Sequence, residues 1–314
     1  MLIRSLLVFI LSTCTVLAEQ PAMTAQQWLE KMSHAMQTQD YHGTVAFFKS
    51  GRLDIMKYFH VTEKGVEQER LLSINSPMRE VIRQGGKVSC VFKDSKKVVI
   101  NHQPVSDSFI IDLPSDYSDV SSVYQFSLLG EESVAMLPSR VISIKAKDQY
   151  RYGRKIWIDK QYFLPLKVEV YDLSGITLEQ VFFTDLQVGG LVTFLNADKN
   201  VESTDIKNIH QVAVTSIDAA DFVLENVPAG FKTKFFTQMD SSGSNKSVDH
   251  LLLSDGFSSI SVYREPKTAN VQLGLQTLST VNSFTRVIDD FEITVMGEVP
   301  AKTVQFIAQG VRFR

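Results

Sequence analysis

Six histidines, His34, His42, His60, His102, His210 and His250, are the side chains best suited to acid–base or metal chemistry, and no two have the spacing of a zinc-binding helix. The sequence also lacks paired-cysteine motifs, a glycine-rich phosphate loop and the G-x-S-x-G turn of a serine hydrolase. Asp289-Asp290 is a carboxylate pair, but adjacent residues on a strand point to opposite faces, so the pair reads as a turn. Asn245-Lys246-Ser247 matches a glycosylation sequon too short to carry weight. No catalytic, cofactor-binding or metal-ligating residue is assigned, and the chain reads as a non-enzyme. A hydrolase site assembled from distant His, Asp and Ser residues is the rival reading, to be revealed by ester or glycan turnover that is lost on changing one histidine.

Binding surface is the remaining source of function. In the first half of the chain, Phe47, Phe48, Tyr58, Phe59, Phe92, Phe109, Tyr124 and Phe126 supply large apolar area. Several strands there are apolar on both faces. Val45 and Phe47 oppose Ala46 and Phe48, and Ile55 and Phe59 oppose Met56 and Tyr58. A strand apolar on both sides needs cover on both. One cover is the sheet's own helix; the other is a second packed layer, a partner or a lipid. These aromatic residues are therefore either ordinary core or the lining of an apolar cavity inside a curled sheet.

The elements that would position this surface are legible. Thr24 with Gln27 three residues on has capping-box spacing, and Trp28, Leu29, Met32 and Met36 then share one helical face. From 42 to 186 the chain reads as short strands punctuated by Gly51-Arg52, Glu63-Lys64-Gly65, Gly85-Gly86 and Ser174-Gly175. Within it, 154–158, 164–171 and 177–186 form an antiparallel meander, with Asp159-Lys160 and Asp172-Leu173-Ser174-Gly175 at the turns. A polar, loosely patterned stretch, 189–220, reads as a linker with a strand near 211–216. Residues 221–314 read as an α+β unit. It holds a strand at 232–239, a hairpin about Asp255-Gly256, two strands flanking Asp289-Asp290, and a helix from Pro300 ended by Gly310.

The wording of three segments resembles the RseB/MucB family, periplasmic negative regulators of the envelope-stress sigma factor of the sigma-E/AlgU type. They are Trp157-Ile158-Asp159 through Leu164-Pro165-Leu166-Lys167-Val168, Asp172, Gly175 and Leu178-Glu179-Gln180; Pro77-Met78-Arg79-Glu80-Val81-Ile82-Arg83-Gln84-Gly85; and Ile293-Thr294-Val295-Met296-Gly297-Glu298-Val299-Pro300. The resemblance implies a mainly β fold of α+β class. Its N-terminal domain would be a LolA/LolB-like unclosed antiparallel β-barrel with helices on the concave face, followed by a smaller α+β domain. It further implies binding to the periplasmic domain of a single-span anti-sigma factor (RseA/MucA type), protection of that partner from the site-1 protease, and displacement by lipopolysaccharide or lipoprotein acyl chains. The expected cavity lies within 22–186, with much of the anti-sigma contact in the C-terminal domain. Arg79, Arg83, Arg151, Arg154 and Arg264, near the expected domain junction, are candidates for acidic partner segments or lipid phosphates. A periplasmic lipid or lipoprotein carrier without a regulatory partner is the alternative; it has no need of 221–314.

Length and composition agree with this outline. At 314 residues the chain suits two domains. Residues 1–18, with Arg4 ahead of an apolar run and a small-residue site at Ala18, read as a cleaved secretory signal, and the resemblance implies a periplasmic mature protein. The rivals are an uncleaved anchor and a lipoprotein acylated at Cys14. The mature division is then 19–188, the linker 189–220 and 221–314. Without Arg4, 31 basic face 35 acidic side chains, a balance that argues against nucleic acid as partner. Loss of Cys14 would leave Cys90 alone on an alternating strand, a small apolar residue with no disulfide partner. A homo-oligomer is compatible with all of this.

Overall fold

The computed structural model describes residues 23–74, 79–84, 87–92, 97–101, 108–190, 205–209, 216–240 and 247–314. Residues 1–18, most of the expected linker, and Asn245 and Lys246 of the sequon lie outside the described residues, as does the strand expected at 211–216, all but Ser216. In chain order the first unit comprises α1 (Ala25–Thr38), β1 (Tyr41–Lys49), β2 (Arg52–Glu63), β3 (Val66–Ser73), β4 (Arg79–Gln84), β5 (Lys87–Phe92), β6 (Lys97–Asn101), α2 (Tyr117–Val120), β7 (Tyr124–Val134), β8 (Leu137–Ala146), β9 (Gly153–Asp159), β10 (Pro165–Tyr171), β11 (Thr177–Val188) and β12 (Asp205–Ile209). The second comprises β13 (Phe222–Leu224), β14 (Lys232–Asp240), β15 (Ser247–Ser254), β16 (Ser259–Pro266), β17 (Gly274–Leu278), β18 (Val281–Ile288), β19 (Phe291–Gly297), α3 (Ala301–Gln309) and β20 (Val311–Phe313).

β1 to β12 form one sheet in the order β12-β6-β5-β4-β3-β2-β1-β11-β10-β9-β8-β7. Every pairing is antiparallel except β12 with β6. β7 and β12 are not paired with each other, so the sheet curls without closing. Pairing of β1 with β11 closes the meander on the first strand. α1 lies across one face. Its Thr24 and Gln27 make both hydrogen bonds of the capping box, each satisfying a backbone N–H that the first helical turn leaves free. Trp28, Leu29, Met32 and Met36 pack with Tyr41, Val45, Tyr58, Ile142, Ile156 and Val168 into the first core. This is the expected fold: a mainly β protein whose large sheet is open, with a helix on its covered face.

The second sheet, in the order β14-β15-β16-β19-β18-β17, buries one face against α3. Ile260, Val262, Ile293 and Val295 there meet Val304, Ile307 and Ala308. Pro300 stands just before the helix rather than inside it, and Gly310 caps the end. β13 and β20 pair, tying the start of this unit to residues 311–313.

β16 and β19 also place Glu265 directly across from Glu292. Burial first, and then Glu292, raises the pKa of Glu265 above the ordinary carboxylate range. The folded state thus holds this proton more tightly than the unfolded chain. The resulting penalty is present above the folded pKa and disappears below the unfolded value of about 4.3. Glu265→Gln is expected to raise thermal stability slightly at neutral pH, by less than about 1 kcal/mol. The difference should vanish on acidification; a gain that persists at low pH would assign it to packing instead.

Candidate functional site

The two sheets meet through the β15–β16 turn. Asp255-Gly256 is the turn expected from sequence, and the structure drives it into the first core. Phe257 is only 3% exposed and packs there rather than in its own domain. Its ring lies 5.1 Å from Tyr124, 6.3 Å from Tyr117 and 6.4 Å from Phe126. Gly256 adopts a φ of +91°, and a Cβ there would fall 2.5 Å from the Pro114 backbone, so both conformation and space demand glycine.

Asp255 organises the turn. Its Oδ1 accepts from the backbone N–H groups of Phe257 at 3.0 Å and Ser258 at 2.8 Å. Its Oδ2 accepts from Arg151 Nε at 2.9 Å and the Tyr124 hydroxyl at 2.8 Å. Arg151 is 0% exposed, pairs also with Asp148, donates Nη2 to the Ala229 carbonyl at 2.6 Å and lies over Phe231. Arg154 donates Nη2 to the Phe257 carbonyl and, at 3.1 Å, to Ser258 Oγ. Burial, followed by the charge of Asp255, raises the Tyr124 pKa far above its ordinary value, so the hydroxyl stays neutral and donates.

Further contacts join the units. Lys49 on β1 reaches Glu179 of β11 at 2.9 Å and Glu298 of the second unit at 2.6 Å. Burial opposes the Lys49 charge, but Glu298 and Glu179 outweigh it and raise its pKa. Thr303 donates to the Tyr150 carbonyl at 2.7 Å, Asn282 donates to the Tyr152 hydroxyl at 3.0 Å, and the Tyr150 and Phe306 rings lie 5.0 Å apart. A cavity of about 410 Å³ extends from the Phe257 turn to the Lys49 cluster. Phe47, Phe109, Val168 and Val181 form its wall on the first unit; Phe257, Ser261, Val281 and Met296 form the other. Its walls therefore come from both units, and not from 22–186 alone.

The eight aromatic candidates divide. Phe47 and Phe109 line the cavity. Tyr58 and Tyr124 are fully buried, and Phe126 packs beside them. Phe92 is half-buried at the end of β5. Phe48 and Phe59 belong to the opposite sheet face, where Phe48 is 42% exposed and Phe59 stacks on His42 beneath Arg70. The five arginines are not brought together. Arg151 and Arg154 are buried at the junction. Arg83 pairs with Glu69 at 2.9 Å over the Phe109 ring, and Arg264 is held by Asp249 at 2.7 Å and Asp221 at 3.2 Å over Phe291. Of the five, Arg79 is the exposed one.

Sequence reasoning did not single out Phe257, Lys49, Tyr41 or Glu69, and it took Asp255 only as a turn residue and Tyr58 only as apolar surface. Tyr58 donates to Glu69 at 2.8 Å and lies 3.3 Å from the Tyr41 hydroxyl. The Asp-Gly turn signal marked the position of Asp255 and Phe257 without showing what they touch. No cluster of His, Cys, Asp and Glu among the described residues is arranged to hold a metal, and no described helix is long and apolar enough to cross a membrane.

Comparison with known proteins assigns the chain. The MucB/RseB N-terminal domain matches residues 24–215 and the MucB/RseB C-terminal domain matches 216–312. The sigma-E factor regulatory protein RseB of Escherichia coli K12 is 26% identical over 306 residues, covering 91% of this chain and 89% of that protein. The sigma factor AlgU regulatory protein MucB of Pseudomonas aeruginosa PAO1 is 27% identical over 318 residues, covering 98% and 96%. Among solved structures, the Pseudomonas aeruginosa MucA/MucB complex aligns with a TM-score of 0.71 at 26% identity, over 92% of this chain and 99% of that one. MucB in complex with MucA(peri) aligns with a TM-score of 0.69 at 25% identity, with the same coverage. These relatives are regulators of sigma factors rather than enzymes, and the chain belongs to the MucB/RseB family.

Proposed function

We propose that this chain is a periplasmic regulator. It binds the periplasmic segment of a single-span anti-sigma factor of the RseA/MucA type, shields it from the site-1 protease, and releases it when a lipid or lipoprotein signal binds. The observation that carries this reading is the likeness, across both units, to a MucB solved together with MucA. Residues 1–18 would be removed on export, 19–188 would hold most of the lipid-facing sheet, 189–220 would link, and 221–314 would provide much of the partner contact. Release is a matter of linkage. A lipid that prefers a form with low affinity for the anti-sigma segment weakens that contact by its own preference for the form. A tenfold loss of affinity needs only about 1.4 kcal/mol of coupling.

The alternative, a lipid carrier without a regulatory partner, draws on the cavity. Because the second unit supplies part of that cavity's wall, its presence does not separate the two readings. Calorimetric titration of the chain from Glu19 with the periplasmic anti-sigma segment of the same genome, with and without lipopolysaccharide, separates the two. Micromolar or tighter binding that weakens with lipid is expected. Lipid binding with no affinity for the segment would establish the carrier.

A further inference from the structure

Arg151 and Arg154 are neighbours on the chain, both buried at the junction, yet their charges are balanced differently. Arg151 has two carboxylates, Asp148 and Asp255. Among the described residues, Arg154, 4% exposed, makes no ion pair and its Nη1 has no hydrogen-bond partner. Asp255 is already committed to Arg151, Tyr124 and two backbone N–H groups. A buried guanidinium is costly unless an anion and hydrogen bonds compensate it.

Arg154 stands in the wall of the junction cavity. The acids of that wall are spoken for: Lys49 holds Glu179 and Glu298, and Asp112 accepts from the Ser108 N–H at 3.3 Å. The rest of the lining is largely apolar, with Phe47, Phe109, Val168, Val181 and Val281. We propose that the cavity takes one anionic single-chain amphiphile, its carboxylate or phosphate on Arg154 and its alkyl chain along the apolar wall. The volume of about 410 Å³ falls at the lower end of the roughly 300–1,000 Å³ of small-molecule sites, which suits a single alkyl chain. The assignment rests on the lipid part of the function proposed above and narrows it. Because both units form the walls, a ligand here touches the contact between them.

The test uses the chain from Glu19 and no anti-sigma segment, so its failure leaves the partner reading untouched. Dodecanoate, dodecyl phosphate, dodecanol and inorganic phosphate, each below any micellar concentration, are titrated by calorimetry. The two anionic amphiphiles are expected to bind one per chain, dodecanol at least about tenfold more weakly, and inorganic phosphate not at all. Arg154→Gln should weaken dodecanoate at least about tenfold, with partial recovery in Arg154→Lys. Val281→Phe, which fills the cavity from the second unit, should abolish binding while unfolding remains cooperative. If Arg154→Gln does not fold, Val281→Phe decides. Unchanged affinity in Val281→Phe or in a folded Arg154→Gln overturns the assignment. So does failure of both amphiphiles to bind, or inorganic phosphate binding as tightly as dodecyl phosphate.

Discussion

Phe257→Ala is expected to destabilise the first unit, to which Phe257 does not belong in sequence, by about 3–5 kcal/mol, the cost of removing a buried aromatic ring from a core that collapses only partly around the space. The ring is enclosed by Tyr117 of α2 and by Tyr124 and Phe126 of β7. Its loss opens a void on the covered face of the first sheet. It also removes the apolar plug that joins the two units, so one calorimetric transition should separate into two, the first at lower temperature. A change under about 1 kcal/mol with a single transition would mean that the turn is not seated as described. The same geometry bears on domain dissection. A fragment ending near residue 190 lacks Phe257 as well as the second sheet, so its loss of partner binding would mix a missing contact with a damaged core. Point substitutions in the full chain avoid this.

Asp255→Ala should cost about 3 kcal/mol, toward the lower end of the range for breaking a buried ion pair, because Arg151 keeps Asp148 and the Ala229 carbonyl. Three groups lose their acceptor at once: the Arg151 guanidinium, the Tyr124 hydroxyl and the N–H groups of the turn. Asp255→Asn preserves a carbonyl oxygen for the turn and should recover part of the loss. Urea unfolding of the single variants, Tyr124→Phe and the double variant would measure the coupling. Residues that share one carboxylate are expected to be non-additive, and strict additivity would contradict the shared site. Salt should change these values little, because the pair is screened from solvent.

The helix, the meander and the second hairpin were legible because each is written in local chemistry. Thr24 and Gln27 are three residues apart, Asp172 to Gly175 is a contiguous turn, and Asp255-Gly256 closes a hairpin between adjacent strands. The family resemblance extended this to the open sheet and the two-unit order. The arginines show where local reading stops. Arg151 and Arg154 were singled out as charges near a junction, but apart from Asp148 their partners are Ala229, Asp255, Phe257 and Ser258 of the other unit, and spacing along the chain cannot rank such contacts. Burial reversed their character, from surface charges available to a partner into parts of the junction itself.

What the sequence determined by itself is periodicity and punctuation: which residues alternate, where the chain turns, which helix face is apolar, and the absence of any recognisable catalytic motif. Only the tertiary structure decided which strand faces meet. Phe47 and Phe48 are neighbours in sequence and equally apolar, yet one lines the cavity and the other is 42% exposed on the opposite face. The physical reason is that a strand offers both faces alike, and burial is assigned by the curvature of the sheet and by whatever docks against it. Here the docking element is a turn from the other unit. It places Phe257 among the tyrosines of the first core and leaves, beside Arg154, the space enclosed by both units.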